Sequence, residues 1–450
     1  MRMSTSLAII IGCVLSTASF AKVSETEAKK LGAELTPMGA EKAGNADGTI
    51  PEWKGGLTQG PEGYTKGMHH PDPFKDDKVE FTITASNADQ YKDSLSEGQL
   101  ALLKTYPDTY KMKVYPTHRS ASAPQRLYDA TKQNAVNTEL VGSGNGFTNA
   151  KEGVPFPIPQ NGVEVIWNHM SRYRGEAVER ISVQVTPTRS GDYTPIKMRE
   201  HILFSYGTQT GAADEENMLF YFKQQVESPA RLAGTALLVH EPINQIETPR
   251  QAWSYNTGQR RVRRAPNIAY DAPGTAADGL RTTDNFDMFN GAPDRYDWTL
   301  VGKKEMYIPY NAYTLHSNNV QVEDIVKPGH INMEFARYEK HRVWVVEANL
   351  KPNTRHIYKK RVFYVDEDSW QIVLVDHYDN RDELWRVGEA HPVNFYDVPI
   401  IWSTLDVFYD LQSRRYLAMG LDNQEEMLIF DKELSVKDFT PQALRRDGVR

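Results

Sequence analysis

The sequence predicts a mainly β fold with a minority of helix: a large antiparallel sheet, curved or partly closed, preceded by an irregular N-terminal segment. Three observations carry this. First, His341 to Tyr378 reads HRVWVVEANLKPNTRHIYKKRVFYVDEDSWQIVLVDHY. Its three runs rich in Val, Ile, Phe, Tyr and Trp (Val343–Ala348, Ile357–Val365, Trp370–Val375) are separated by Lys351-Pro352-Asn353 and Asp366-Glu367-Asp368-Ser369. β-Branched and aromatic runs bounded by turn formers are strands, and breaks this short leave no room for a crossover helix, so the pairing is antiparallel. Second, short runs of the same kind recur between residues 181 and 419. Third, Met38 to Leu57 is dense in Gly and Pro, which forbids long regular structure.

The chain has 450 residues and a formal net charge of -7, which argues against a dedicated nucleic-acid binder. Residues 1–21 form an export-signal pattern: Arg2, an apolar core from Leu7 to Leu15, and small residues ending at Ala21. That core is too short to span a bilayer, and no later stretch approaches ~18 apolar residues. Cleavage after Ala21 removes the single cysteine, Cys13, leaving a mature chain without disulfide, thiolate nucleophile or Cys-ligated metal. The alternative is lipidation at Cys13, since Ile10-Ile11-Gly12-Cys13 loosely fits a lipoprotein box.

In chain order, Lys22–Leu35 is a polar segment predicted as one helix, followed by a wrap in which Trp53 needs a surface to cover. His69-His70-Pro71-Asp72 lacks a spaced partner ligand and is predicted as a surface loop. Ser96-Glu97-Gly98-Gln99 is a capping box ahead of a short helix, and a second helix is predicted from Pro124 to about Asn134. Gly142-Ser143-Gly144-Asn145-Gly146 has neither the spacing nor the ending of a phosphate loop and is predicted as a flexible connector. The expected division is a signal peptide (1–21), a Gly/Pro-rich wrap with short helices (22–150) and a curved-sheet domain (151–450).

Within that last domain, Val163, Ile166, Trp167 and Met170 mark one apolar helical face that ends near Arg174-Gly175. Strands follow at Ile181–Val185, Ile202–Tyr206, Leu219–Val226 and Ala236–Val239. A hairpin turning at Asn256-Thr257-Gly258 joins Trp253–Tyr255 to Gln259–Arg264. A polar loop (Ala265–Arg295) precedes strands at Trp298–Gly302, Glu383–Val387, Ile400–Tyr409 and Arg415–Met419. Thr440–Leu444 reads as a short helix or a tail.

No metalloprotease, nucleophile-elbow, P-loop or dinucleotide motif is present, so the sequence predicts no catalytic residue, no cofactor and no resident metal. Asp366-Glu367-Asp368 is predicted as a solvated turn, with calcium binding as the alternative. Asp284, Asp287, Asp294 and Asp297 are predicted as loop caps, with the rim of a cleft as the alternative. Arg260 and Arg264 are expected to share one strand face and Arg261 and Arg263 the other. They read either as edge charges that block aggregation or as a head-group rim, Arg260 and Arg264 being the candidates. Trp167, Met170, Trp253, Tyr255, Trp298, Trp344, Phe363 and Trp370 read either as core or as the lining of an apolar cavity. In such a cavity a bound chain gains ~0.8 kcal/mol per CH2 removed from water.

Three stretches carry a family resemblance: LTPMGAEKAGNADGTIPEWKGG (Leu35–Gly56), GVPFPIPQNGVEVIWNHMSRYRG (Gly153–Gly175), and AWSYNTGQRRVRRAP with the later DNFDMFNGAPDRYDW. Together they resemble the bacterial domain of unknown function 1329, an outer-membrane lipoprotein-sorting-like family. That family is similar to the LolA/LolB/LppX fold, an incomplete antiparallel barrel whose apolar concave face is lidded by helices. The resemblance implies that the helix Val163–Arg174 packs on the sheet. It also implies a periplasmic role beside an outer-membrane protein or a resistance-nodulation-division exporter of the MmpL type. The expected function is a non-enzymatic carrier or chaperone for a lipid, lipoprotein or other hydrophobic ligand; the alternative is a structural adaptor of an envelope export complex.

Overall fold

Alternating β-branched and aromatic residues build one sheet of fifteen strands in the computed structural model, which describes residues 23–208, 217–266, 268 and 270–448. The leader pattern of residues 1–21 lies outside the described residues. The sheet is an open path that starts at Phe81–Ile83 and ends at Arg261–Arg264. It is antiparallel throughout except where Met112–Val114 meets Tyr338–Leu350 through the parallel pair Val114 and Tyr338. The fold is therefore mostly β, with few helices and no closed barrel. Register shifts at Leu300/Gly302, Tyr364/Val365, His377/Tyr378, His391/Pro392, Met419/Leu421 and Met218/Phe220 each insert a bulge. Bulges bend strands and raise their twist, so this series curves the sheet along its length.

The three runs that dominate the sequence form neighbouring strands, Tyr338–Leu350, Lys360–Asp366 and Ile372–Tyr378. Ile372–Tyr378 is buried on both faces and the other two strands are largely so, because each face is covered by different parts of the chain. The helix Glu97–Thr105 covers one face: its Gly98 amide and the Ser96 hydroxyl donate to Asp376 Oδ1 at 3.1 and 3.2 Å. The Ser96/Gln99 capping box forms in both directions, as predicted. The helix Gly162–Ser171, capped by Asn161, covers the other side. It lies so close that a side chain at Gly162 would meet Val346 and the backbone of Trp298 and Thr299.

Residues 23–150 are bound into this architecture. Met112–Val114 and Phe81–Ile83 enter the sheet, and Trp53 Nε1 donates to the Ala121 carbonyl at 3.0 Å. Gly39, at φ +101°, approaches the Pro157 carbonyl closely enough that no side chain fits there.

Two local expectations fail for local reasons. The helix expected over Lys22–Leu35 is only Glu25–Ala28, because the chain turns left-handed at Gly32 (φ 85°) and the Gly32 amide donates to Leu35. The glycine-rich stretch holds a 3-10 turn, Gly142–Gly144, between the paired strands Glu139–Val141 and Gly146–Thr148. Its Gly144 carbonyl accepts from Trp167 Nε1 at 2.8 Å.

Candidate apolar cavity and the buried charge clusters

Strands Met218–Ser228 and Ala236–Pro242 pair so that Phe220 faces Glu241, Phe222 faces Val239, and Gln224 faces Leu237. Residues two apart on a strand share a face, so these six side chains form one patch. Over it lies the segment Ile268–Asn290, the predicted polar loop. It doubles back on itself through a Pro273–Thr282 bridge and the Gly274 amide donating to the Arg281 carbonyl at 3.1 Å. Gln184, two strands away from Met218–Ser228 in the sheet, donates to the Thr275 and Ala276 carbonyls and ties the segment down.

Between patch and cover is a cavity of about 60 Å³, walled by Phe220, Phe222, Leu237, Val239, Ile268, Pro273 and Phe286. Phe222 and Phe286 contact each other across it, ring centroids 5.1 Å apart. Three charged residues reach it. Glu241 and Arg250 form a buried ion pair, with Gln245 also donating to Glu241 and the Arg250 guanidinium tied to Asn290. Arg281 is different. It is only 4% exposed, its Nη1 donates to the Thr282 carbonyl, its Nε has no partner, and burial pulls its pKa down to about 10.

The cavity-lining candidates named from sequence lie elsewhere. Trp167 and Met170 are buried on the inner side of their helix, Trp167 against Phe147. Trp298 and Phe363 pack on Phe289, and Trp344 stacks on Trp370 at 6.3 Å. Trp253 and Tyr255 join a separate cluster with Phe439 and Leu444 of the C-terminal segment. None of the eight lines the cavity of Phe222 and Phe286. Trp370 is not a strand residue: it occupies the turn before Ile372 at φ 60°, and its Nε1 donates to the Met38 carbonyl of the wrap at 3.0 Å. Arg260 and Arg264 do not share a strand face, because the strand is only Arg261–Arg264 and Arg260 sits in the turn at φ 51°. Both are exposed on the edge hairpin. The sequence reading assigned the hairpin two strand residues, Gln259 and Arg260, that belong to the turn.

Two of the acidic residues read as loop caps are buried. Asp287 receives Arg172 through both carboxylate oxygens (2.8 and 2.6 Å) and Arg174 through one of them. Burial works to raise the Asp287 pKa, but the two guanidinium groups outweigh it and hold the carboxyl well below the usual range. His169 Nε2 donates to the Asp287 carbonyl at 2.7 Å while Nδ1 accepts from the Ile372 amide, so the ring is neutral, and burial lowers its pKa to about 3. Asp284 is likewise buried between Arg361 and His356, both at 3.0 Å. Of the four, Asp294 and Asp297 stay nearer the surface.

The Asp366-Glu367-Asp368 turn is also buried, because the wrap covers it. Arg119 donates to both oxygens of Asp368 at 2.9 and 2.7 Å, and Lys303 reaches Glu367 at 2.8 Å. Burial raises Asp366 and Glu367 to about 6. His341, Asp366 and Asp368 bring ligand-type atoms within 4.8 Å of one another, but Arg119 already occupies Asp368 as its cation. His70 is not on a surface loop either. It is buried, 2.7 Å from Asp397, with its ring edge-on to Tyr396 and tilted against His316.

Sequence reasoning missed Phe220, Phe222 and Val239 as a site because both faces of their strands are apolar, which leaves no alternation to read. Arg281 lies in a stretch whose composition reads only as loop, so no signal could have found it.

The stretches that carried the family resemblance meet in space here: Gly39 against Pro157, and Arg172 and Arg174 on Asp287. The chain is 55% identical over 439 residues to an uncharacterized protein of Pseudomonas aeruginosa, covering 97% of this chain and 96% of that one. The solved structures similar to it include three of note. The first is a putative outer membrane lipoprotein-sorting protein domain from Vibrio parahaemolyticus (TM-score 0.44, 15% identity, 63% of this chain and 98% of that one). The second is a DUF1329 family protein from Desulfovibrio piger (TM-score 0.42, 16% identity, 60% and 92%). The third is a LolA superfamily protein from Nitrosomonas europaea (TM-score 0.37, 11% identity, 63% and 98%). The profile of the family described as "Protein of unknown function (DUF1329)" matches residues 82–445, and the chain belongs to that family.

Proposed function

We propose that this protein is a non-enzymatic carrier of the cell envelope that shields part of a hydrophobic or amphiphilic ligand from water. The observation that carries this reading is the apolar cavity between the Phe220/Phe222/Val239 patch and its cover. Each methylene group moved from water into such a space gains ~0.8 kcal/mol before association costs, with no bond made or broken. A volume of about 60 Å³ suits the first carbons of a chain, the rest lying along the surface. The export-signal pattern of residues 1–21 supports a periplasmic location. The family resemblance supports a lipid or lipoprotein cargo, and partners among outer-membrane proteins and MmpL-type exporters.

The direct test is solvent extraction and mass spectrometry of the protein purified from periplasm, together with uptake of a fluorescent fatty acid. A co-purifying amphiphile supports the proposal. Its absence together with absent uptake rejects it. Val239→Trp should fill the cavity and lower uptake at least about tenfold, at a cost in urea unfolding of about 1–3 kcal/mol, with the variant still folded. Unchanged uptake in that variant would move the ligand elsewhere.

A second reading has its own support. The eight aromatic and Met residues first expected to line a cavity are packed into the cores, which suits a structural adaptor whose interior is filled by its own side chains. Capture of an envelope exporter by ligand-free protein, with no amphiphile bound, favours that reading.

A further inference from the structure

We infer that the cavity recognises amphiphiles with one anionic head group, a carboxylate or a phosphate monoester, and that Arg281 is the residue that binds the head. This rests on the carrier reading, since it names the chemistry of what that same cavity takes.

The argument is one of charge accounting. Of the three charged side chains lining the cavity, Glu241 and Arg250 neutralise each other. Among the described residues, no carboxylate lies within 4.0 Å of the Arg281 guanidinium. The acids that act on it from farther away are Glu200, Asp406 and Asp284. All three offset its charge only from beyond 4.0 Å: Glu200 accepts a hydrogen bond from Gln224 at 2.7 Å, Asp284 is shared with Arg361 and His356, and burial raises Asp406 to about 6. The cavity is left with one buried positive charge that has no ion-pair partner, and with an unpartnered Nε–H. Buried charges are ordinarily paired, because leaving them unpaired forfeits solvation without return.

The rest of the site fits an incoming anion with a tail. Phe286 supports the guanidinium from one side, 5.8 Å from its ring centroid, and Gly274 makes room on another. A Cβ at Gly274 would lie 2.7 Å from Arg281 Cζ, so a side chain there would push the guanidinium out of its present position. A planar guanidinium suits two-point binding of carboxylate or phosphate oxygens. Phe220, Phe222 and Val239 then offer an apolar wall to the first carbons of the chain.

The test is isothermal titration calorimetry of the purified chain with octanoate, octyl phosphate, octanol and octylammonium at neutral pH, beside Arg281→Met and Gly274→Val. The first variant removes the charge at similar length. The second keeps Arg281 but fills its berth, and thermal melts confirm that each is folded. At least one anion should bind about tenfold or more tighter than octanol, and the variant that folds should lose that preference while binding octanol within about twofold of wild type. Octanoate ahead of octyl phosphate assigns a fatty-acid head, and the reverse order a phosphate head. Octanol binding wild type as tightly as both anions, or an anion preference surviving in the folded variants, overturns the assignment and leaves the carrier reading standing. Absence of binding by all four overturns both.

Discussion

Asp287→Ala is expected to destabilise the protein by about 3–5 kcal/mol, read from urea unfolding. The carboxylate is the shared counter-ion of Arg172 and Arg174, and all three are buried. Removing it leaves two guanidinium groups in a medium that cannot solvate them, beside a neutral His169 that offers no compensation. The effect is one of charge rather than volume, so Asp287→Asn, which keeps the shape, should lose most of the same amount. Adding Arg174→Met to Asp287→Ala should recover part of the loss, because one of the stranded charges goes with it. A loss below about 1 kcal/mol for either single variant would show that water reaches this cluster. Asp287 also follows Phe286, so the same change should slacken the cover over the cavity and weaken ligand binding.

The second large effect is in pH dependence. Glu389 is wholly buried, with the hydroxyls of Tyr110 and Tyr338 at 3.1–3.3 Å from its oxygens. Burial pushes its pKa from 4.5 to about 7. Its neighbour His391, driven down to about 3 by burial, stays neutral and supplies no countercharge. The folded state therefore holds a proton that the unfolded chain has already released between pH 4.5 and about 7. The stabilisation is fully present below 4.5 and is lost as pH rises through the folded value. Glu389→Gln cannot titrate, so wild type should lose about 3 kcal/mol relative to the variant between pH 4.5 and 7.5, as unfolding curves at the two pH values will show. Other buried acids, such as Asp376 and Asp406, titrate in both proteins and cancel in the difference. Parallel stability profiles for the two proteins would refute the buried-proton account.

The sequence by itself determined the class of the fold and its local punctuation. The runs around Phe363 and Val375 became central strands, and Ser96 capped its helix where it was expected to. Such features depend on residues a few positions apart, where period and capping chemistry act directly. The quoted motifs also carried the family. The tertiary structure alone decided which charges are buried. Asp287 and Asp368 look like loop residues because their surroundings in the chain are polar. Their partners Arg172, Arg174 and Arg119 stand more than a hundred positions away, and only folding strips the water from both sides of each pair. The cavity has the same origin. Phe222 reads as one more core aromatic and Arg281 as one more loop cation, and only the cover folded over the Met218–Ser228 and Ala236–Pro242 pair turns them into neighbours.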